Sequence, residues 1–174
     1  SLSQDVQGEV FDYPEEFFKE KVHTIRRPRP DDYQIKQAVE TIKKSKNPII
    51  ISGGGVFYSD AMKELSEFAK KHNIPTAQTV MGYSTMKRDD PYFLGAIGGF
   101  GGKATNNFMK KTDLAIAVGT KLADFTTGSW ANFENPNFKL VSINVSRFDA
   151  NKHMAQSVVG DAKVSLLDIS NALG

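Results

Sequence analysis

Beyond residue 30, apolar positions along the chain alternate between two spacings. Ile35, Ala38, Val39 and Ile42 recur at i, i+3, i+4 and i+7, the stripe of a helix that buries one face and ends near Lys46. "PIIIS" at 48–52 is instead an unbroken β-branched run, the pattern of a strand covered on both sides. A second helical stripe follows at Ala61, Leu65, Phe68 and Ala69, and then an extended segment, "IPTAQT", at 74–79. The glycine-rich stretch after it is expected to hold a short strand at 93–96 and a short helix from about Lys103. "DLAIAVGT" at 113–120 and "KLVSINVS" at 139–146 are the clearest strands, and "SVVGD" at 157–161 reads as a last one before a helix through Leu173. Strands and helices alternating at this spacing imply βαβ units. The expected fold class is therefore α/β: a doubly wound, mainly parallel sheet of about six strands with helices on both faces.

Local punctuation sharpens the boundaries. "DDYQ" at 31–34 has the form of a capping box, with Asp31 as N-cap and Gln34 three residues on. Ser59 or Asp60 is placed to cap the second helix and Asp161 the last one. Residues 1–30 have no sustained period, and Pro28 and Pro30 push their neighbours toward extended geometry. They read as a linker or as an arm packed on something, with the α/β domain occupying 31–174. Arg26, Arg27 and Arg29 form either a phosphate-binding patch or, as expected here, a solvated linker face.

Composition narrows the function classes. A net charge of +2 is too mild to argue for nucleic acid or a membrane surface. No apolar run approaches a membrane span, and "SLSQDVQGEV" has no signal-peptide pattern. The absence of cysteine removes disulfides, thiolate metal sites and thiol nucleophiles, and fits a reducing cytoplasm. The three histidines, His23, His72 and His153, have no metal-ligand spacing.

The glycine motifs each miss a known pattern. Gly53 and Gly55 match the start of G-x-G-x-x-G, but the third position is Tyr58, and the next strand ends in Gln78 and Thr79 instead of an acid. The backbone N–H groups of Gly54 and Gly55 are left either to face an anion or other ligand or simply to make a tight turn. "IGGFGGKAT" at 97–105 fails as a P-loop, because Ile97 stands where a glycine is needed and Ala104 where a hydroxyl is needed. After the strand at 113–120, "KLADFTTGS" brings Lys121, Asp124, Thr126, Thr127 and Ser129 to a strand's carboxyl end. They serve there as ligand contacts or as loop hydrogen-bonders. Asp89 and Asp90 are loop carboxylates, no serine sits in a nucleophile elbow, and the sequon at Asn144 ends a buried strand.

The ordered set "PIIISGGG", "IPTAQT", "FLGAIGGFGG", "DLAIAVGTKLADF", "KLVSINVS" and "VVGD" resembles the central domain of thiamine diphosphate enzymes over residues 31–173. "SLSQDVQ" is similar to the end of their N-terminal pyrimidine-binding domain. "DVQGEVFDYPEEFF", "RRPRP" and "DFTTGSWANFENPNFKLVSINVSRFDANKH" resemble the branch that opens a cyclic dione in inositol catabolism. The resemblance implies a parent hydrolase that cleaves a carbon–carbon bond with thiamine diphosphate and Mg2+. It implies pyrimidine- and diphosphate-binding domains in the same chain, and a homodimeric or homotetrameric parent. The activating glutamate and the Gly-Asp-Gly…Asn motif of that family would lie in those other domains, so this chain is expected to be a scaffold with no catalytic residue, inert alone. Some relatives bind FAD or ADP here. The matching positions are Gly53, Gly54, Gly55, Gly98 to Gly102 (Gly98 and Gly99 foremost), Gly119, Thr120, Lys121, Asp124, and Asn144 to Ser146. Lys121 replaces the usual arginine, and Asn144 with Ser146 replaces an Asp-x-Asp, which removes acidic partners for ribose or adenine.

Overall fold

The computed structural model describes residues 1–174. After a short helix α1 (Gln4–Gln7), the ordered body runs α2 (Asp32–Lys44), β1 (Pro48–Ser52), α3 (Gly54–Tyr58), α4 (Met62–His72) and β2 (Thr76–Gln78). It continues with β3 (Phe93–Ala96), α5 (Lys103–Met109), β4 (Leu114–Val118), α6 (Asp124–Thr127), β5 (Lys139–Asn144), α7 (Arg147–Ala150), β6 (Gln156–Val159) and α8 (Ala162–Leu173). The six strands form one sheet in the order β3-β2-β1-β4-β5-β6, and every neighbouring pair is parallel. This is the doubly wound arrangement that the alternation of periods predicts.

The two faces are covered unequally. Ile50, Ile116, Val118, Val141 and Ile143 point into the larger core, where they meet Ala38 and Val39 of α2, Leu65 and Phe68 of α4, and Leu166 and Ile169 of α8. The opposite face carries Ile49, Ile51, Ala77, Ala115, Ala117 and Leu140, covered by Met109 of α5 and by Trp130, Phe133 and Phe138 from the loop before β5. The segment 121–138 has no apolar period from which to build a long helix, so single aromatic rings do the covering there.

The caps depart from expectation in two places. Asp31 accepts from Gln34 N–H as expected, but the Gln34 side chain does not turn back. Its Oε1 accepts the N–H of Val159, tying the start of α2 to β6. Neither Ser59 nor Asp60 caps α4, which starts behind Ala61 with no side-chain cap. Ser59 Oγ donates instead to Asp161, and Asp60 lies beside Lys163. Asp161 does cap α8, accepting from the N–H groups of Lys163 and Val164.

Arg26, Arg27 and Arg29 are exposed, as a linker face would be, but two of them are tethered to the domain. Arg27 donates to the carbonyl of Ser59 and to Asp161 Oδ2, and Arg29 pairs with Asp168 at 3.4 Å. Before this segment, Phe11, Tyr13, Phe17 and Phe18 stack on one another and stay exposed.

Candidate functional site

Strand order reverses between β1 and β4, and in open α/β sheets the crevice at that point, beyond the carboxyl ends, is where ligands bind. Here β1 runs into Gly53–Gly55 and β4 into Gly119–Lys121, and the two loops interlock. Gly53 N–H donates to Val118 O and Gly55 N–H to Gly119 O, both at 2.9 Å. A Cβ on Gly53 would stand 2.4 Å from Gly119 O, and one on Gly55 would stand 2.6 Å from Gly119 Cα. Gly119 itself has φ +60°. The glycines are therefore required by backbone packing on backbone. Of the two amides expected to face a ligand, Gly55 N–H is committed to β4, and only Gly54 N–H is without an acceptor within the chain.

Two cavities of about 430 Å3 each flank this junction and share Gly55, Tyr58 and Gly119. Tyr58, 71 % exposed at the end of α3, lines both. The cavity toward β5 is walled by Ile25, Arg26 and Pro28 on one side and by Asn144, Val145 and Gly160 on the other. The cavity toward β2 is lined by Gly54, Thr79, Val80, Met81, Thr120, Lys121, Phe100 and Phe125. Phe100 and Phe125 stack at 5.8 Å between ring centroids, and both rings are 69 % exposed.

The positions singled out in the sequence divide accordingly. Gly54, Gly55, Gly119, Thr120 and Lys121 line the second cavity, and Gly55, Gly119 and Asn144 the first. Gly53 lies behind them in the loop junction. Gly98 and Gly99 line neither cavity; they abut Phe125, and Gly98 is clasped by Asn106, which accepts its N–H and donates to its carbonyl, each at 3.0 Å. Asp124 heads α6, exposed and outside both cavities. Asn144 uses both ends of its amide internally: Nδ2 donates to Thr120 O at 3.2 Å, and Oδ1 accepts Ser146 N–H at 2.9 Å. Ser146 Oγ in turn accepts from Asp149 N–H to cap α7. Asn106 and Tyr58 were not recognisable as site-shaping residues, because one is a mid-helix amide and the other a broken fingerprint position.

Charge at the mouth is sparse. A hydrogen bond from Lys152 chiefly holds the Asp149 carboxyl below its usual range against the opposing effect of burial, with a hydrogen bond from Ser146 and the charges of Lys152 and Lys121 adding to it. The Lys121 ammonium thus acts on α7 as well as on the cavity. No group of three or more His, Asp or Glu side chains is positioned to hold a metal ion. The arrangement can enclose a flat apolar group, but it supplies few free donors for phosphate.

Residues 35–169 match the family described as "Thiamine pyrophosphate enzyme, central domain". The chain belongs to that family. This central domain is 49% identical over 166 residues to the 3D-(3,5/4)-trihydroxycyclohexane-1,2-dione hydrolase of Clostridium botulinum, covering 95% of this chain and 26% of that protein. It is 47% identical to the hydrolase of the same name from Clostridium tetani and 45% identical to that of Clostridium perfringens, in each case over 99% of this chain and 27% of the relative. The chain thus spans about a quarter of the length of these relatives. Among solved structures, a Mycobacterium smegmatis protein described as a thiamin diphosphate-dependent enzyme matches with a TM-score of 0.72 at 20% identity, over 88% of this chain and 30% of that one. Benzoylformate decarboxylase from Polynucleobacter necessarius matches with a TM-score of 0.70 at 22% identity, over 92% and 30%. At these identities the structures carry the fold of the central domain and nothing finer.

Proposed function

We propose that this chain is the non-catalytic central domain of a thiamine diphosphate-dependent hydrolase that opens trihydroxycyclohexane-1,2-dione to 5-deoxyglucuronate in inositol degradation. The observation that carries this reading is 45–49% identity, sustained over 95–99% of the chain, to hydrolases of that name. The residues present do not fit thiamine diphosphate with Mg2+, since no acidic cluster is positioned for the metal. That chemistry belongs, in this reading, to pyrimidine- and diphosphate-binding domains of the same longer, cytoplasmic, homodimeric or homotetrameric protein. The exposed aromatic knot at Phe11, Tyr13, Phe17 and Phe18 is then a surface for those domains.

A nucleotide-binding role is the second reading, favoured by the two cavities at the switch point and by the free amide of Gly54. Against it, Gly53 and Gly55 spend their N–H groups on the carbonyls of Val118 and Gly119, and both ends of the buried Asn144 amide are already engaged within the chain. A scaffold is therefore the reading these contacts support best. Calorimetric titration of the full-length protein with FAD and ADP is expected to give no micromolar binding, and binding at that level by either would replace the scaffold with the nucleotide module. Separately, the full-length protein supplied with thiamine diphosphate and Mg2+ is expected to hydrolyse the cyclic dione, with no turnover by residues 1–174 alone. Acetolactate formation without dione hydrolysis would move the parent to another branch of the family.

A further inference from the structure

Residues 25–30 carry no regular secondary structure, yet they hold to the domain by side-chain and backbone contacts on both sides. Asp161, whose side chain is 4 % exposed, is the anchor. One of its carboxylate oxygens caps α8; the other, Oδ2, accepts from Ser59 Oγ at 2.7 Å and from Arg27 at 3.2 Å. Arg27 also donates to the Ser59 carbonyl, and Asp161 N–H donates to Pro28 O at 2.8 Å. Pro30 is buried against Gly160, where a Cβ would stand 2.7 Å from the proline ring. The segment so held supplies Ile25, Arg26 and Pro28 as one wall of the cavity beside β5.

We propose that residues 25–30 are a strap that docks across the carboxyl edge of the sheet and closes this cavity, with Arg27 as its latch. The Asp161 carboxylate, the Pro28 carbonyl and the Pro30 ring are engaged together at one place, so the strap releases them together and its docked and undocked forms are separate states. Docking also fixes where the chain preceding residue 25 leaves the domain. Movement of that preceding segment and access to the cavity are therefore coupled, because a single set of contacts controls both. This stands on contacts within the chain and goes beyond the proposed parent activity; it holds whichever thiamine enzyme the parent is.

Trypsin nicking of the full-length protein tests it. Bonds preceding proline resist trypsin, so the cut after Arg26 is the one that reads the strap, and a cut after Arg88, in an exposed loop far along the chain, reads the rest. Two variants attack the latch from opposite sides: Arg27→Met removes the guanidinium and keeps an apolar stem, and Gly160→Ala drives a methyl into Pro30 and against Ser165 Oγ of α8. Both are expected to raise the rate of nicking after Arg26 about tenfold, relative to each denatured variant, with nicking after Arg88 unchanged. Unchanged nicking after Arg26 in both variants overturns the strap. An equal rise at Arg26 and Arg88 overturns it too, because these contacts would then support the whole domain and not a separable segment.

Discussion

At the scale of single residues, the strongest polar knot lies at the opposite end of the sheet from the cavities. Asp113, just before β4, accepts from Ser45 Oγ and from the N–H groups of Lys46 and Asn47, at 2.8 and 3.0 Å. It thereby fixes the turn between α2 and β1 across more than sixty residues of sequence. Burial raises its carboxyl, but these hydrogen bonds outweigh that and hold it below its ordinary value of 3.8. A depressed carboxylate contributes stability that is present above the ordinary value and lost as pH falls through the folded one. Asp113→Ala is expected to lower stability by about 2 kcal/mol in urea unfolding at pH 7, since hydrogen bonds to a charged acceptor are lost and their donors left behind. The difference from wild type should shrink below about pH 3.8, where the protonated carboxyl no longer serves. A difference that persists undiminished at pH 3 would mean that Asp113 acts through packing. Gly119 is the counterpart at the ligand end. With φ +60° and a Cβ that would sit 2.6 Å from Gly55 Cα, Gly119→Ala should cost about 2–4 kcal/mol or prevent folding, read by the same urea transition.

Elements are held to one another by contacts that periodicity cannot express. The stripes at Ile35–Ile42 and Ala61–Ala69 and the run at 48–52 were legible because burial repeats on the helix or strand period, and β1 falls where the sequence puts it. Gln34 and Ser59 show the limit: each is chemically a cap, but the partners they take, Val159 and Asp161, lie 125 and 102 residues away and are set by topology. The same limit applies at the crevice. Its glycines announced a turn, but the occupation of their amides by β4 depends on a strand sixty residues downstream. The packing of α4 on α8 gives a pH-dependent case. His72 closes α4, with Nε2 2.9 Å from Ser170 Oγ on α8 and its ring 4.6 Å from Phe68. Burial first, and then the adjacent Lys71 charge, lower its pKa below the ordinary 6.5. The fold therefore favours neutral His72: its contribution is fully present above about pH 6.5 and is lost as pH falls through the lower folded value. The urea midpoint is expected to drop between pH 7 and pH 5, and His72→Gln should flatten that drop. An identical pH profile in the variant would assign the drop to other groups.

Across the whole molecule, stability is divided between two unequal cores. Twenty buried residues fill the face covered by α2, α4 and α8, and nine fill the other. The smaller core is closed by Trp130, Phe133 and Phe138, whose rings form a chain with centroid separations of 4.8 and 4.7 Å. Trp130 also packs on His153 at 4.5 Å. Both loops that meet there are held in left-handed backbone: Ser129 and Trp130 have φ 53° and 66°, and His153 and Met154 have φ 60° and 55°. Each such non-glycine residue costs about 1–2 kcal/mol, offset here by a thin aromatic layer and by loop hydrogen bonds such as Ser129 N–H to Asp124 O and Trp130 N–H to Thr127 Oγ1. This layer is thus the part of the domain most ready to open locally. Trp130 is the only tryptophan, so its fluorescence reads that layer, while far-UV circular dichroism reads the helices packed on the larger core. In urea the fluorescence midpoint is expected to precede the dichroism midpoint, and Ser129→Gly, which relieves the left-handed strain at one position, should move fluorescence upward and narrow the gap. Superimposed transitions in the wild type would mean that the aromatic layer is as firmly held as the helical one, and that the strained loops are part of one cooperative core.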